Sequence, residues 1–280
     1  MAARDSKSKN TASQNTRRGA FALLRIAFIC CLLGGSLAGI IYASQRFEHF
    51  LVDDPRFEIA PPPEFGHESP DLQLEGIRYA PRAQVLRVFA TDIGRSVYLF
   101  PLAERRRELL RIAWIKDAEI LRIWPDRIIV RIEERRPAAF IAVSFGAMSR
   151  YALIDSEGVI LDPPLRARFD LPVLTGIAPN DSQAMRGKRV RRMQQALREL
   201  SSVASGISEV DVSDFENVKL RVKKGDRSLS IELGDTNFAS RYRTFLDHYA
   251  EIENRMPNVA GLDLRLDDRI TAIQGAPHVQ

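Results

Sequence analysis

Residues 26–43 (IAFICCLLGGSLAGIIYA) carry no charged side chain, and this run limits what the rest of the chain can become. A helix of that length rises about 27 Å, close to a hydrocarbon core of about 30 Å and at the short end of the lengths that cross one. Arg25 stands at one end, where its stem can reach the headgroups, and Tyr42 stands at the other as an interfacial aromatic. Before the run lie Arg4, Lys7, Lys9, Arg17, Arg18 and Arg25 against a single acid, Asp5. Positive flanks stay in the cytoplasm, so the expected topology is a single-pass helix over 21–43 with the C-terminal body outside. The tail, 1–20, is polar enough to be expected disordered. A cleaved signal peptide is the competing reading, with small residues at Ala38 and Ala43, but its apolar core would normally be shorter.

The net charge of +5 sits wholly in that leading segment. Residues 26–280 hold 35 basic and 35 acidic side chains. A neutral body lacks the electrostatic footprint that phosphate backbones require, which sets nucleic acid aside. The only cysteines, Cys30 and Cys31, are adjacent within the apolar run and read as small apolar side chains in lipid. The body therefore has no disulfide and must stand on its core. Gly35 and Gly39 have the spacing of a helix-packing motif, a weak signal by itself.

Beyond the run, 44–70 reads as a linker stiffened by Pro61, Pro62 and Pro63 before Glu64. Residues 72–77 alternate like a half-buried strand. Val85, Leu86, Phe89 and Ala90 mark one face of a helix over 83–93, with Gly94 as its expected C-cap. A second helix covers 102–113. Two apolar runs, 118–124 and 128–133, flank Pro125 and Asp126 as a hairpin, and Pro137 is expected to close its second strand. Trp124 and Pro125 are expected as a buried turn of this sheet. The order strand, helix, helix, strand, strand makes a small α+β unit with a free sheet edge, which can accept a strand from another chain.

From Tyr151 the pattern changes. Residues 151–161 read as a hairpin bent at Asp155, Ser156, Glu157 and Gly158, whose acids suit turn chemistry better than catalysis. A short apolar run, 171–175, precedes a basic amphipathic helix over 182–203. Its Arg189, Arg191 and Arg192 are expected to form a solvated face, with anionic lipid heads as the other reading. Strands follow at 207–212, 218–222 and 229–233. A long helix over 237–255 stops before Pro257. Residues 261–266 and 269–273 then read as terminal strands about a bend at Asp267 and Asp268.

Chemistry is hard to place on this chain. His49, His67, His248 and His278 do not sit with acids at ligand spacing, and no phosphate-cradling loop or nucleophile elbow occurs. No cofactor, metal or small-molecule substrate is expected, and the chain is read as no enzyme.

Residues 114–138 (WIKDAEILRIWPDRIIVRIEERRPA) resemble a pattern of the bacterial cell division protein FtsQ/DivIB family. That pattern is Trp-Ile, a strand, Arg-x-Trp-Pro, a second strand, then Glu-x-x-Pro-x-Ala. The resemblance continues, in order, through 153–158, 171–174, Leu233 and Gly234, and Asp263 to Arg265. It implies an α+β architecture of one transmembrane helix, a POTRA domain (β-α-α-β-β) over 71–138, and a strand-rich β domain with two helices over 139–275, before a short tail, 276–280. It further implies a non-catalytic scaffold of the divisome at the septal inner membrane, binding FtsB and FtsL outside the cytoplasm. Carried over from the family, FtsB would add a strand beside Leu262, Asp263, Leu264, Arg265, Leu266, Arg269, Ile270, Thr271, Ala272 and Ile273. Leu266 departs from the family, which has an aromatic there. A proline or charge at Thr271 is expected to interrupt this pairing. The alternative is a POTRA-bearing component of protein translocation or secretion, which would normally accompany a barrel.

Overall fold

An uncharged run with no proline nearby propagates as helix well past its own ends, because extension after nucleation is easy. In a computed structural model, α1 spans Lys9–Asp53, which exceeds the 21–43 expected and takes in much of the stretch expected as a disordered tail. Its stop is Pro55, which cannot donate to the preceding turn. The segment from Phe28 to Asp53 is long and apolar enough to cross a membrane. The structure describes residues 9–62, 69–145, 148–178, 180–203, 206–224, 227–257, 259–267 and 269–273. Pro63, Glu64, His67, Asp268, the stretch 276–280 with His278, and the side chain of Arg25 lie outside the described residues.

After α1 come β1 (Leu72–Glu75), α2 (Arg82–Val88), α3 (Leu102–Leu109), β2 (Ile115–Ile123) and β3 (Arg127–Glu134). These strands form a three-stranded sheet in the order β1-β3-β2. Then follow β4 (Pro137–Phe145), β5 (Met148–Asp155), β6 (Ile160–Leu161), β7 (Val173–Thr175) and α4 (Gln183–Leu200). The chain continues through β8 (Ile207–Asp211), β9 (Val218–Lys224), β10 (Arg227–Gly234), α5 (Phe238–Arg255), β11 (Gly261–Asp263) and β12 (Thr271–Ile273). Two expectations shift. Pro137 opens β4 rather than closing β3, since the first residue of a strand tolerates a missing donor. Gly94 lies six residues past the end of α2, and its amide donates to the Ile59 carbonyl at 2.9 Å instead of capping a helix.

Two compact units are described in turn. The first takes residues up to Gln73 with 89–102 and 121–129. Here the segment expected as a spacer is built into the fold. Ile59 is buried, and its amide donates to the Arg95 carbonyl at 3.0 Å. Leu51, near the end of α1, is also buried, and its carbonyl accepts from the buried Ser96 hydroxyl at 2.6 Å.

The second unit takes 74–88, 103–120 and 130 onward. Glu134 accepts the amides of Arg78, Tyr79 and Ala80 at 2.7–2.9 Å, which gives the glutamate of the Glu-x-x-Pro motif a structural task. Beside it, Gly76 has φ +84°, and a Cβ there would meet the Ile132 carbonyl oxygen at 2.1 Å. The Trp114 indole donates to the Asp162 carbonyl at 2.9 Å, while Tyr79 and Trp114 each lie against Phe169.

Among the described residues, the larger sheet of this unit has nine strands in the order β12-β11-β10-β9-β8-β7-β4-β5-β6. Its alternation is plain. Val218, Leu220 and Val222 on β9 and Leu229, Ile231 and Leu233 on β10 are buried, while Lys219, Arg221 and Lys223 alternate with the β9 set. The buried set belongs to one core with Val190, Met193 and Leu200 of α4 and Phe238, Tyr242, Phe245 and Ile252 of α5. Burial on one side leaves the other for charged cross-strand partners, such as Lys219 with Glu232 at 3.0 Å and Arg221 with Glu209 at 2.9 Å. Ser182 caps α4 by accepting the Met185 amide at 3.2 Å.

Asp155 accepts the amides of Glu157 and Val159 and pairs with Arg135 at 2.8 Å, so the acids of this bend do turn work. Of the three arginines expected on a solvated face of α4, Arg191 is exposed as expected, while Arg189 and Arg192 are half-buried and engaged. Arg189 pairs with Asp181 at 3.1 Å, donates to Ser213 and lies over Phe215. Arg192 donates to the Phe215 and Asp235 carbonyls and lies over Phe238. Loop carbonyls that lack ladder partners need donors, and these guanidinium forks supply them.

Candidate partner-binding edge

A sheet ends in backbone that still has hydrogen bonds to make, so the two outermost strands are the natural places for another chain to join. In the large sheet these are β6, with two residues, and β12, with three. The polarity of β12 follows from its neighbours. The Leu264 amide donates to Glu232 and Ala260 accepts from Ser230, so residues 260, 262 and 264 turn their backbone groups toward β10. Residues 261 and 263 therefore face β12, where Gly261 pairs with Ile273 and Asp263 with Thr271. Thr271 and Ile273 spend their amides and carbonyls on β11. Ala272, between them, points its N–H and C=O away from the sheet.

The ten residues expected to contact a partner thus divide. Leu262 and Leu264 are 0% and 2% exposed and belong to the core beneath α5. Asp263 is held inside the sheet between β10 and β12. Arg265 is exposed but engaged: its Nε and Nη2 lie 3.0 and 2.7 Å from the Asp263 carboxylate. Leu266, Arg269 and Thr271 are exposed, and Ile270, Ala272 and Ile273 are half-buried. Leu266 borders a hollow of about 40 Å³ shared with Ser240, Arg241, Thr244, Leu264 and Ile270. That is room for about one water, not for an aromatic anchor. Recognition at this edge would rest on the backbone.

The Arg265 guanidinium holds the Asp263 carboxyl below the ordinary carboxylate range. A lowered folded pKa stabilises the fold above the unfolded value of about 3.9, and that contribution disappears as pH falls through the folded value. The arginine is half exposed, so the pair is worth less than about 1 kcal/mol. Asp263→Asn should lose up to that amount at pH 7 in urea melts, and the difference from the parent should vanish well below pH 3.9. A gap that persists in acid would assign the loss to packing instead.

An apolar helix long enough to cross a membrane, a strand-helix-helix-strand-strand unit and a strand-rich domain ending in a three-residue edge strand define the class of protein. The family model for the POTRA domain, FtsQ-type, matches residues 71–135, and that for cell division protein FtsQ/DivIB, C-terminal, matches 145–265. The chain belongs to the FtsQ/DivIB family. The second match stops at Arg265, short of β12. Among relatives named cell division protein FtsQ, that of Koribacter versatilis is 33% identical over 213 residues, covering 74% of this chain and 60% of the relative. That of Novosphingobium aromaticivorans is 28% identical, covering 73% and 61%, and that of Coxiella burnetii 26% identical, covering 69% and 73%. The chain thus spans only about three fifths of the first two.

Proposed function

We propose that this chain is a non-catalytic scaffold of the cell division machinery, anchored in the inner membrane by α1 with its folded domains on the far side from the cytoplasm. It gathers FtsB and FtsL at the septum. FtsB joins by laying a strand antiparallel or parallel to β12, against the outward N–H and C=O of Ala272. The observation that carries this reading is that outward pair on the outermost strand of a sheet whose neighbouring residues Leu262 and Leu264 are locked in core. Leu262 and Leu264 support the edge from beneath, while Arg269, Ile270, Thr271, Ala272 and Ile273 line it. The POTRA domain contributes recruitment.

A full-length fusion with a fluorophore at its N-terminus tests the proposal in dividing cells. A mid-cell band that disappears on deletion of the POTRA domain is the expected result. Uniform membrane fluorescence in constricting cells would overturn the division role.

A further inference from the structure

Four aromatic rings in the first unit form a chain on its surface. Phe50, on the last turns of α1, meets Phe57 at 5.5 Å; Phe57 meets Trp124 at 5.9 Å; and Trp124 meets Tyr98 at 6.4 Å. Leu99 follows Tyr98 on a short 3-10 turn, Val97–Leu99. Arg122 donates to the Phe100 carbonyl at 2.9 Å, which ties the hairpin bearing Trp124 to that turn. Phe50, Tyr98, Leu99 and Trp124 are each 37–50% exposed, a large apolar area to leave in water. Trp124 was expected as a buried turn and is instead the centre of this patch.

We infer that this patch rests in the interfacial layer of the bilayer that α1 crosses, with Trp124 and Tyr98 as its lipid-facing anchors. The inference depends on α1 being a membrane anchor. The apolar run ends at Ala43, and Phe50 lies seven residues on, a rise of about 10 Å along an unbroken helix. The headgroup layer is about 5–8 Å deep on each side. At a helix tilt of about 20° the axial rise stays near about 10 Å. A side chain about 5–6 Å off the axis on the tilted side drops about 2 Å further, which brings Phe50 to the outer edge of that layer. Composition agrees, because tryptophan and tyrosine favour this depth, where an apolar body and a polar tip are both satisfied. Charge points to lipid of any headgroup. Residues 45–62, 89–102 and 121–129 hold five basic and six acidic side chains, so attraction to anionic lipid is not the drive.

The test uses the full chain in phosphatidylcholine nanodiscs, one chain per disc, with or without bromine near the top of the acyl chains. The protein has two tryptophans, so Trp114→Phe leaves Trp124 as sole reporter. Brominated discs should remove about half or more of its emission, and adding anionic lipid should change this little. Trp114 is buried and hydrogen-bonded, so a second comparison guards against misfolding of that variant. In the parent chain, bromine should remove a fraction of emission that Trp124→Phe abolishes. Emission unaffected by bromine overturns the inference, as does protection that appears only when chains are crowded together, which would assign the patch to a second copy. A nitroxide on Cys30 in a Cys31→Ser chain reads the anchor separately. A deep Cys30 with a wet Trp124 defeats only the docking of the patch, whereas a shallow Cys30 defeats the anchor.

Discussion

Ala272→Pro should abolish the strand addition proposed for FtsB while leaving the nine-stranded sheet intact. Proline removes one N–H, and at position 272 that N–H points off the sheet, so no native ladder bond is lost. The incoming strand would then meet a missing donor and a ring in its path, with one of its carbonyls left unpaired. Such a deficit is worth about 2–3 kcal/mol, or a roughly 30- to 150-fold weaker Kd. Titration of the purified full-length chain with the FtsB extramembrane segment would read the affinity, and a thermal melt would read the fold. Thr271→Pro is the informative contrast. The Thr271 amide faces β11, so proline there should unpair β12 itself and lose capture by dismantling the edge. Unchanged affinity in an intact Ala272→Pro chain would remove β12 from the binding reaction.

Phe245→Ala should cost about 3–5 kcal/mol, the range for emptying a buried aromatic site. Phe245 is fully buried on α5, with Tyr242 and Tyr249 at 5.4 and 5.3 Å on either side along the helix. Neither tyrosine can fill the space without leaving its own place in the core. A domain of this kind has only about 5–15 kcal/mol in hand, so the variant should unfold at markedly lower urea concentration. Asp247→Asn, exposed on the same helix, should move the transition by less than about 0.5 kcal/mol. Equal effects from both would mean that α5 is not packed on the sheet.

Much of this architecture was legible in the sequence because the responsible signals are local. The alternation of Ile128, Val130 and Ile132 declares β3 unaided, and the spacing of Phe238, Tyr242 and Phe245 declares α5. β4 was missed because Pro137 reads as a terminator, and nothing local says that a strand starts there instead of ending. Leu262, Leu264 and Leu266 share one alternating face, yet only the first two are covered. The strand stops at Asp263, so coverage by α5 fails before Leu266, which no period could reveal. Trp124 was misplaced for a related reason. Its neighbours Phe57 and Tyr98 are 67 and 26 positions away in the chain, and tertiary contact alone decides whether such a ring is inside or outside. The outward amide of Ala272 lay equally out of reach, since it depends on which neighbour each terminal strand has.

The uninterrupted α1 also sets an angular phase. Each residue of an α-helix turns the chain by about 100° and advances it by about 1.5 Å. With Leu51 and Ser96 clamping the end of α1 to the first unit, no hinge within Lys9–Asp53 absorbs that turn. The azimuth at which the unit meets its surroundings is therefore written into the residue count between Ala43 and Leu51. One residue more or fewer would swing the aromatic chain about a quarter of a revolution, with every side-chain contact inside the unit preserved. Selection on this stretch would act on its length more strongly than on its composition.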